Sequence, residues 1–140
     1  MTERVFIIDT NVFISGLLSS EINSPTVRIL DAMLRGTILY VLSPALLKEY
    51  QLVLLRPKIV KLHQLTGDEA EQLLSEIVAN AIWREPTSKH QAPDNGDDHL
   101  WCLLHQTDDT VLITGDQLLI NKPPFGKSVI KPATYLELYS

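Results

Sequence analysis

The sequence predicts a three-layer α/β/α fold in which helices cover both faces of a mainly parallel central sheet. Short apolar runs, such as VFII at 5–8 and VLIT at 111–114, alternate along the chain with longer segments that carry helix caps and helical periodicity. These runs lack the polar alternation of strands that have one face in water. They are typical of parallel strands buried on both faces.

Two helices in the first half carry the same start signal, a serine followed by a proline. The serine accepts a hydrogen bond from a free N–H group of the first turn, and proline fits the first helical position. Ser24 opens a helix that Gly36 ends. Ser43 opens a helix that continues to about Leu55, where Arg56-Pro57 breaks it.

The other elements follow from apolar runs and one further cap. Thr66 and Glu69 form a capping-box pattern ahead of an amphipathic helix, AEQLLSEIVANA. Loops are expected directly after the first strand, from Pro86 to Gly96, and at NKPPFG. Further strands are predicted at TILYVL (37–42), around AIWRE (81–85), at VLIT and at SVIK (128–131), and further helices near Asp97 and in PATYLELY (132–139).

Composition is that of an ordinary globular protein. The 140 residues are most simply one domain, 1–140, and 45% hydrophobic with 21% charged residues argues against disorder. No apolar run approaches the ~18 residues of a membrane span, and the N-terminal run is too short for a signal peptide. The single cysteine, Cys102, suits a reducing compartment, so a cytoplasmic protein is predicted.

The net charge of −5 argues against a protein that coats nucleic acid through its overall field. That argument weakens if divalent metal neutralises several of the acids. One local exception is RPKIVK, where Arg56, Lys58 and Lys61 form a small basic cluster. The cluster is either a solvated surface near a helix end or a phosphate contact.

Three acidic positions are expected at one edge of the sheet. Asp9 ends the first strand, Asp116 follows VLIT, and Asp97 opens a helix after the long polar loop. In a parallel sheet these places all lie at the carboxyl ends of the strands. Each acid alone has an ordinary explanation as a turn residue or a helix cap. Their convergence is the stronger indication of a site.

Asp97 has two acidic neighbours, Asp94 and Asp98, that could take its place. On a helix starting here, Asp97 shares a face with Leu100 and Leu104, so its carboxylate is expected to point towards the sheet. Asp98 is rotated by ~100° towards a more polar flank. Asp94 precedes Asn-Gly and is explained by that turn. Asp97 is therefore preferred, with Asp94 and Asp98 kept as weaker candidates.

Glu49 lies in a predicted helix beside apolar residues rather than with the polar ones. Its neighbours at helical spacing are Ala45, Leu52 and Val53. A carboxylate in an apolar stripe costs free energy unless a positive group pairs with it. The partner is expected to be a lysine or arginine, or a cation shared with the other acids, unless the side chain reaches water.

Four clustered carboxylates need a cation, because like charges in one pocket otherwise favour protonation. None of the four histidines shows a zinc-ligand spacing, and the one cysteine is isolated. Ligands that are all oxygen select the hard ions Mg²⁺ or Mn²⁺. Two such ions roughly 4 Å apart can support in-line attack of water on a phosphodiester. Metal-dependent phosphodiester hydrolysis is the predicted chemistry, with one or two ions.

Three stretches, DTNVFISGLL, SPALLKEYQLVLLRPK and VLITGDQLL, resemble the PIN domain family, and in particular the subgroup described as toxins of toxin–antitoxin pairs. The resemblance covers nearly the whole chain in the right order. It implies a PIN-like fold, a Mg²⁺- or Mn²⁺-dependent ribonuclease acting on single-stranded RNA, an antitoxin partner and a homodimer. By motif, the family's four acids fall on Asp9, Glu49, Asp97 and Asp116, and its supporting positions fall on Asn11 and Thr114.

The sequence departs from the subgroup at two places. GDQLL lacks a second aspartate two positions after Asp116, and DNGDD replaces an Asp-Pro-x-Asp pattern. Two other classes of function also remain open. A receiver-like magnesium-binding signalling domain would need an acidic pair after the first strand, where only Asp9 stands. An inactive PIN-like module would bind RNA or protein without cleavage.

Overall fold

A computed structural model of the chain describes residues 4–87, 92–93 and 95–140. The described residues form five β-strands and eight α-helices, with a short 3₁₀ turn at Asn95–Asp97. The strands are β1 Val5–Ile8, β2 Val41–Leu42, β3 Ile82–Trp83, β4 Thr110–Ile113 and β5 Ser128–Ile130. The helices are α1 Thr10–Leu18, α2 Pro25–Arg35, α3 Pro44–Leu54, α4 Pro57–His63, α5 Gly67–Asn80, α6 Asp98–Gln106, α7 Gln117–Asn121 and α8 Pro132–Leu138.

All strand pairings in the described part of the chain are parallel. β4 lies between β1 and β5, β2 pairs with β3, and a bridge between Phe6 and Tyr40 joins the two groups. The order is therefore β3–β2–β1–β4–β5. The chain builds outward from β1 to β3 and then returns to the other side of β1, so the order reverses between β1 and β4. Open α/β sheets have their ligand crevice at such a reversal.

Both faces of the sheet are covered, as predicted. Consecutive residues of a strand point to opposite faces, yet Phe6, Ile7 and Ile8 of β1 and all of β4 are buried. The predicted three-layer α/β/α fold with a mainly parallel sheet is thus confirmed. Across the described residues, no helix combines the length and the apolar character that crossing a lipid bilayer requires.

The predicted helix caps are present. Ser24 Oγ accepts a hydrogen bond from Val27 N at 3.3 Å, and Ser43 Oγ accepts one from Leu46 N at 3.1 Å. Gly36 ends α2 with a φ of 72°, a left-handed conformation that glycine adopts without strain. The capping box ahead of α5 has both of its hydrogen bonds. The two serine–proline signals placed the starts of α2 and α3, and the capping box lies directly before α5, which begins at Gly67, three residues earlier than the predicted segment.

The expected loop after the first strand was wrong, because α1 occupies it. Asp9, for which a turn or a cap was the ordinary explanation, is the N-cap of α1 and accepts a hydrogen bond from Thr10 N at 2.8 Å. Aspartate serves both purposes, and the short run that follows has no clear amphipathic pattern. Packing decides the matter, since Val12 and Phe13 are fully buried in the core.

Three other expectations need correction. Two short helices, α4 with 7 residues and α7 with 5, were not expected from the sequence. The strand expected at 37–42 is reduced to β2, Val41–Leu42. Thr37, the first residue of the predicted strand, belongs instead to the end of α2, where its N–H donates a hydrogen bond to Ala32 O at 3.0 Å.

Candidate active site

Asp9 lies at the carboxyl end of β1 and is only 4% exposed. One of its oxygens accepts the hydrogen bond from Thr10 N that caps α1. The other accepts hydrogen bonds from Thr114 Oγ1 at 2.6 Å and from Asn11 Nδ2 at 3.2 Å. Burial raises the pKa of the Asp9 carboxyl, and the hydrogen bonds from Thr114 and Thr10 partly offset that rise.

Thr114 and Asn11 connect Asp9 to the end of β4. Thr114 Oγ1 accepts a hydrogen bond from Asp116 N at 3.0 Å, and Asn11 Oδ1 accepts one from Gly115 N at 2.9 Å. Asp116 in turn caps α7 by accepting a hydrogen bond from Leu118 N at 2.9 Å. The structure therefore places both residues that the resemblance named as supporting ones in hydrogen-bond contact with the acid at the end of β1.

Glu49 projects from α3 towards Asp9. Thr10 Oγ1 donates a hydrogen bond to one Glu49 oxygen, and His99 Nε2 lies 3.2 Å from the other. The hydrogen bond with His99 lowers the pKa of the Glu49 carboxyl, although burial acts in the opposite direction. The hydrogen-bond partners are thus a hydroxyl and an imidazole. A positive group, one of the alternatives left open by the sequence, also acts on Glu49, because the charge of Arg56 lowers its pKa as a smaller influence.

The neighbouring residue, Tyr50, fixes α3 against the first strand. Its hydroxyl donates a hydrogen bond to Ile8 O at 2.5 Å, directly before Asp9. Its ring stacks on Phe13 of α1 with a centroid separation of 4.4 Å. Burial holds the pKa of Tyr50 well above its ordinary value of 10.0, so the hydroxyl stays a donor. Because Glu49 directly precedes Tyr50, this contact also fixes the position of Glu49 relative to the end of β1.

The third acidic segment approaches the same place from α6. Asp97 is half-buried at the end of the 3₁₀ turn that precedes α6 and lines the cleft beside Asp9. Asp98 points elsewhere, since its Oδ1 accepts a hydrogen bond from Ala92 N at 2.7 Å. Asp94, the other weaker candidate, lies outside the described residues.

The four acids Asp9, Glu49, Asp97 and Asp116 line one open cleft of about 770 Å³ at the carboxyl ends of the strands. Arg56, the N-cap residue of α4, also lines it. Lys58 and Lys61 are exposed on α4 and do not line this cleft. Of the three basic candidates, the structure brings only Arg56 to the acids.

The donor set fits a hard divalent cation by its chemistry, because the four acids and the groups around them offer oxygen. Among the described residues, no three His, Cys, Asp or Glu side chains converge closely enough to form a complete metal shell. Binding of an ion between these acids therefore requires some of their side chains to move closer together.

Two residues at this site escaped the sequence analysis, Thr10 and His99. Thr10 stands between Asp9 and Asn11 in the DTN stretch, where a loop was expected. His99 is one of the four histidines that show no zinc-ligand spacing, and the sequence assigns it no other role. The available signal was its position two residues after Asp97, which brings it to the same end of α6.

Comparison with known proteins agrees with this geometry. No curated protein matches the sequence significantly. A family profile described as PIN domain matches residues 5–118, which extend from the first residue of β1 into α7 and include all four acids. The chain therefore belongs to the PIN domain family, whose members are typically nucleases that depend on divalent metal ions.

Proposed function

We propose that this PIN domain is an endoribonuclease that hydrolyses phosphodiester bonds of single-stranded RNA with Mg²⁺ or Mn²⁺. The observation that carries the proposal is that four carboxylates, from four separate parts of the chain, line one open cleft. An enclosed cavity would admit only a small molecule, whereas an open cleft also admits a polymer strand. Membership of the PIN family favours this function over the receiver-like alternative.

In this proposal Asp9, Glu49, Asp97 and Asp116 hold the metal. Each carboxylate oxygen has two acceptor sites, so Glu49 can keep Thr10 and His99 and still offer an oxygen lone pair to a cation. Divalent ions supply Lewis acidity and lower the pKa of water for attack on a phosphodiester. Thr114 and Asn11 hold the Asp9 carboxylate between the ends of β1 and β4.

Arg56 is the proposed contact for an RNA phosphate at the cleft. Its guanidinium presents a fork of donors that matches phosphate oxygens, and it offsets part of the negative charge of the acids. Lys58 and Lys61, farther along α4, are proposed to contact phosphates of the strand outside the cleft. Arg56→Ala should raise KM for RNA more than Lys58→Ala does, and equal effects would place the phosphate contact elsewhere.

We also propose that the protein is the toxin of a type II toxin–antitoxin pair and forms a homodimer. The support is the resemblance of its three motifs to that subgroup. Expression of the protein alone should arrest growth, and co-expression with the product of the adjacent open reading frame should restore it. If Asp9→Asn arrests growth equally, toxicity does not arise from this site.

The direct test of the proposed activity is RNA cleavage by the purified protein. With Mn²⁺ or Mg²⁺ it should cut single-stranded RNA internally, and EDTA should stop the reaction. Asp9→Asn should stay folded by circular dichroism and lose most of the activity. A parent protein that binds RNA without cutting it would instead be the inactive binding module, and an Asp9→Asn variant as fast as the parent would disprove the site assignment.

A further inference from the structure

Glu49 is held entirely from outside its own helix. Thr10 on α1 contacts one carboxylate oxygen, and His99 on α6 contacts the other. The side chain is 33% exposed, so without these contacts it could turn out into solvent. A glutamate has three rotatable side-chain bonds, and fixing them in a productive orientation requires partners that are themselves fixed.

His99 is such a fixed partner. Its side chain is 19% exposed, and Nε2 makes the contact with Glu49 at 3.2 Å. The other ring nitrogen, Nδ1, is buried and has no hydrogen-bond partner within the described residues. Burial of the ring restricts its rotation independently of Glu49, so His99 can direct Nε2 at the Glu49 carboxylate. An imidazole that donates through Nε2 presents one N–H to a carboxylate acceptor.

The position of His99 in the chain links two of the acids. It lies in the first turn of α6, two residues after Asp97, and α6 packs against α3, which carries Glu49. The contact between His99 and Glu49 therefore joins the start of α6 to α3 right at the cleft.

We propose that His99 is a positioning residue that keeps the Glu49 carboxylate directed into the cleft and ties it to the turn that carries Asp97. The inference rests on the proposed function, in which Glu49 and Asp97 hold a divalent cation. His99 acts through Glu49 and contacts neither the ion nor the RNA. Loss of a partner that orients a metal ligand typically weakens metal affinity about 10- to 100-fold.

The test compares His99→Leu with His99→Gln, because glutamine keeps an amide N–H donor at a similar reach and leucine does not. Calorimetric titration with Mn²⁺ should show an affinity about 10- to 100-fold weaker in His99→Leu. The affinity of His99→Gln should stay much closer to that of the parent. His105→Leu is the matched control, since it removes a histidine of the same helix whose Nδ1 lies 2.8 Å from Trp101 O. Its affinity should be that of the parent.

A second readout does not need the metal. In crystal structures of the metal-free proteins, the Glu49 carboxylate should leave its place beside Thr10 in His99→Leu and keep it in His99→Gln. An unmoved Glu49 in His99→Leu, or an unchanged Mn²⁺ affinity of that variant, would overturn the role of His99. A parent that binds no Mn²⁺ would count against the proposed function instead, and the crystal structures would then decide on His99 alone.

Discussion

Asp9 is a buried carboxylate whose oxygens accept hydrogen bonds from neighbouring donors. Three hydrogen bonds, from Thr10 N, Thr114 Oγ1 and Asn11 Nδ2, reach its two oxygens. Desolvation is nevertheless the largest influence, so the pKa of Asp9 is raised above its ordinary value of 3.8. The charge of Glu49 raises it further. A buried carboxylate of this kind is suited to hold a cation, because the positive charge would offset both the desolvation of Asp9 and its repulsion by Glu49.

The first prediction concerns this pKa. Glu49→Gln removes a negative charge that raises the pKa of Asp9, so the pKa of Asp9 should fall in the metal-free variant. Because the folded state raises this pKa, the stabilising contribution of Asp9 is present below pH 3.8 and is lost as the pH rises through its raised pKa. That loss should be smaller in Glu49→Gln. Carboxyl ¹³C NMR titration of Asp9 measures the shift, and an unchanged or higher pKa would contradict the interaction.

The second prediction separates Asp97 from Asp98. Asp97 lines the cleft, whereas Asp98 accepts a hydrogen bond from Ala92 N. Asp97→Ala should therefore reduce metal-dependent RNA cleavage by at least ~100-fold, more than loss of an outer partner typically does. Asp98→Ala should lose about 1 kcal/mol of stability and keep a measurable share of the activity. A dead Asp98→Ala beside an active Asp97→Ala, both folded, would reverse the assignment.

At the level of elements, the contact between α1 and α2 helps to set the position of Asp9, which caps α1. Gly16 of α1 lies so close to α2 that an added Cβ would come within 2.5 Å of Thr26 O and 2.9 Å of Leu30 Cβ. Only glycine allows this approach. Since α1 begins at the Asp9 cap and carries Thr10 and Asn11, its distance from α2 also affects the site.

The third prediction tests this contact with two glycines. Gly16→Ala should push α1 away from α2 and lower the free energy of unfolding by about 1–3 kcal/mol, as overpacking usually does. Gly67, at the start of α5, is the control, because a Cβ added there would have no atom within 4 Å. Gly67→Ala should raise stability by about 0.4–1 kcal/mol, since alanine restricts the unfolded chain. Urea unfolding measures both, and equal effects would show that the helix contact is not tight.

For the whole molecule, the cleft is a place where folding brings like charges together. Its four acids lie at positions 9, 49, 97 and 116, and none is adjacent to another in the sequence. Their mutual repulsion in the folded state is absent from an expanded chain. A cation that binds only the folded state would stabilise the protein by mass action.

The fourth prediction follows from that linkage. At a hundredfold excess over its Kd, Mn²⁺ should stabilise the parent by about 2.7 kcal/mol. For a chain of this size that corresponds to a rise in Tm of roughly 10 °C. The rise should be clearly smaller in Glu49→Gln, measured by calorimetry against samples treated with chelator. Equal rises in the two proteins would mean that Glu49 does not bind the ion.

The sequence by itself determined the fold class and most of the elements. Serine caps, the Thr66 capping box and Gly36 are local signals, because each hydrogen bond spans only a few residues. Continuous apolar runs likewise indicated parallel strands buried on both faces. From these, the carboxyl edge of the sheet and the acids near it could be predicted, and the roles of those acids remain predictions.

Tertiary structure alone decided the rest. The helical state of α1 depends on burial of Val12 and Phe13, and on close packing at Gly16. The partners of Glu49 come from 39 and 50 residues away, at Thr10 and His99. No local pattern encodes such contacts. They exist because the parallel sheet brings α1, α3 and α6 to the same edge, where a half-buried carboxylate is stabilised by donors from neighbouring helices.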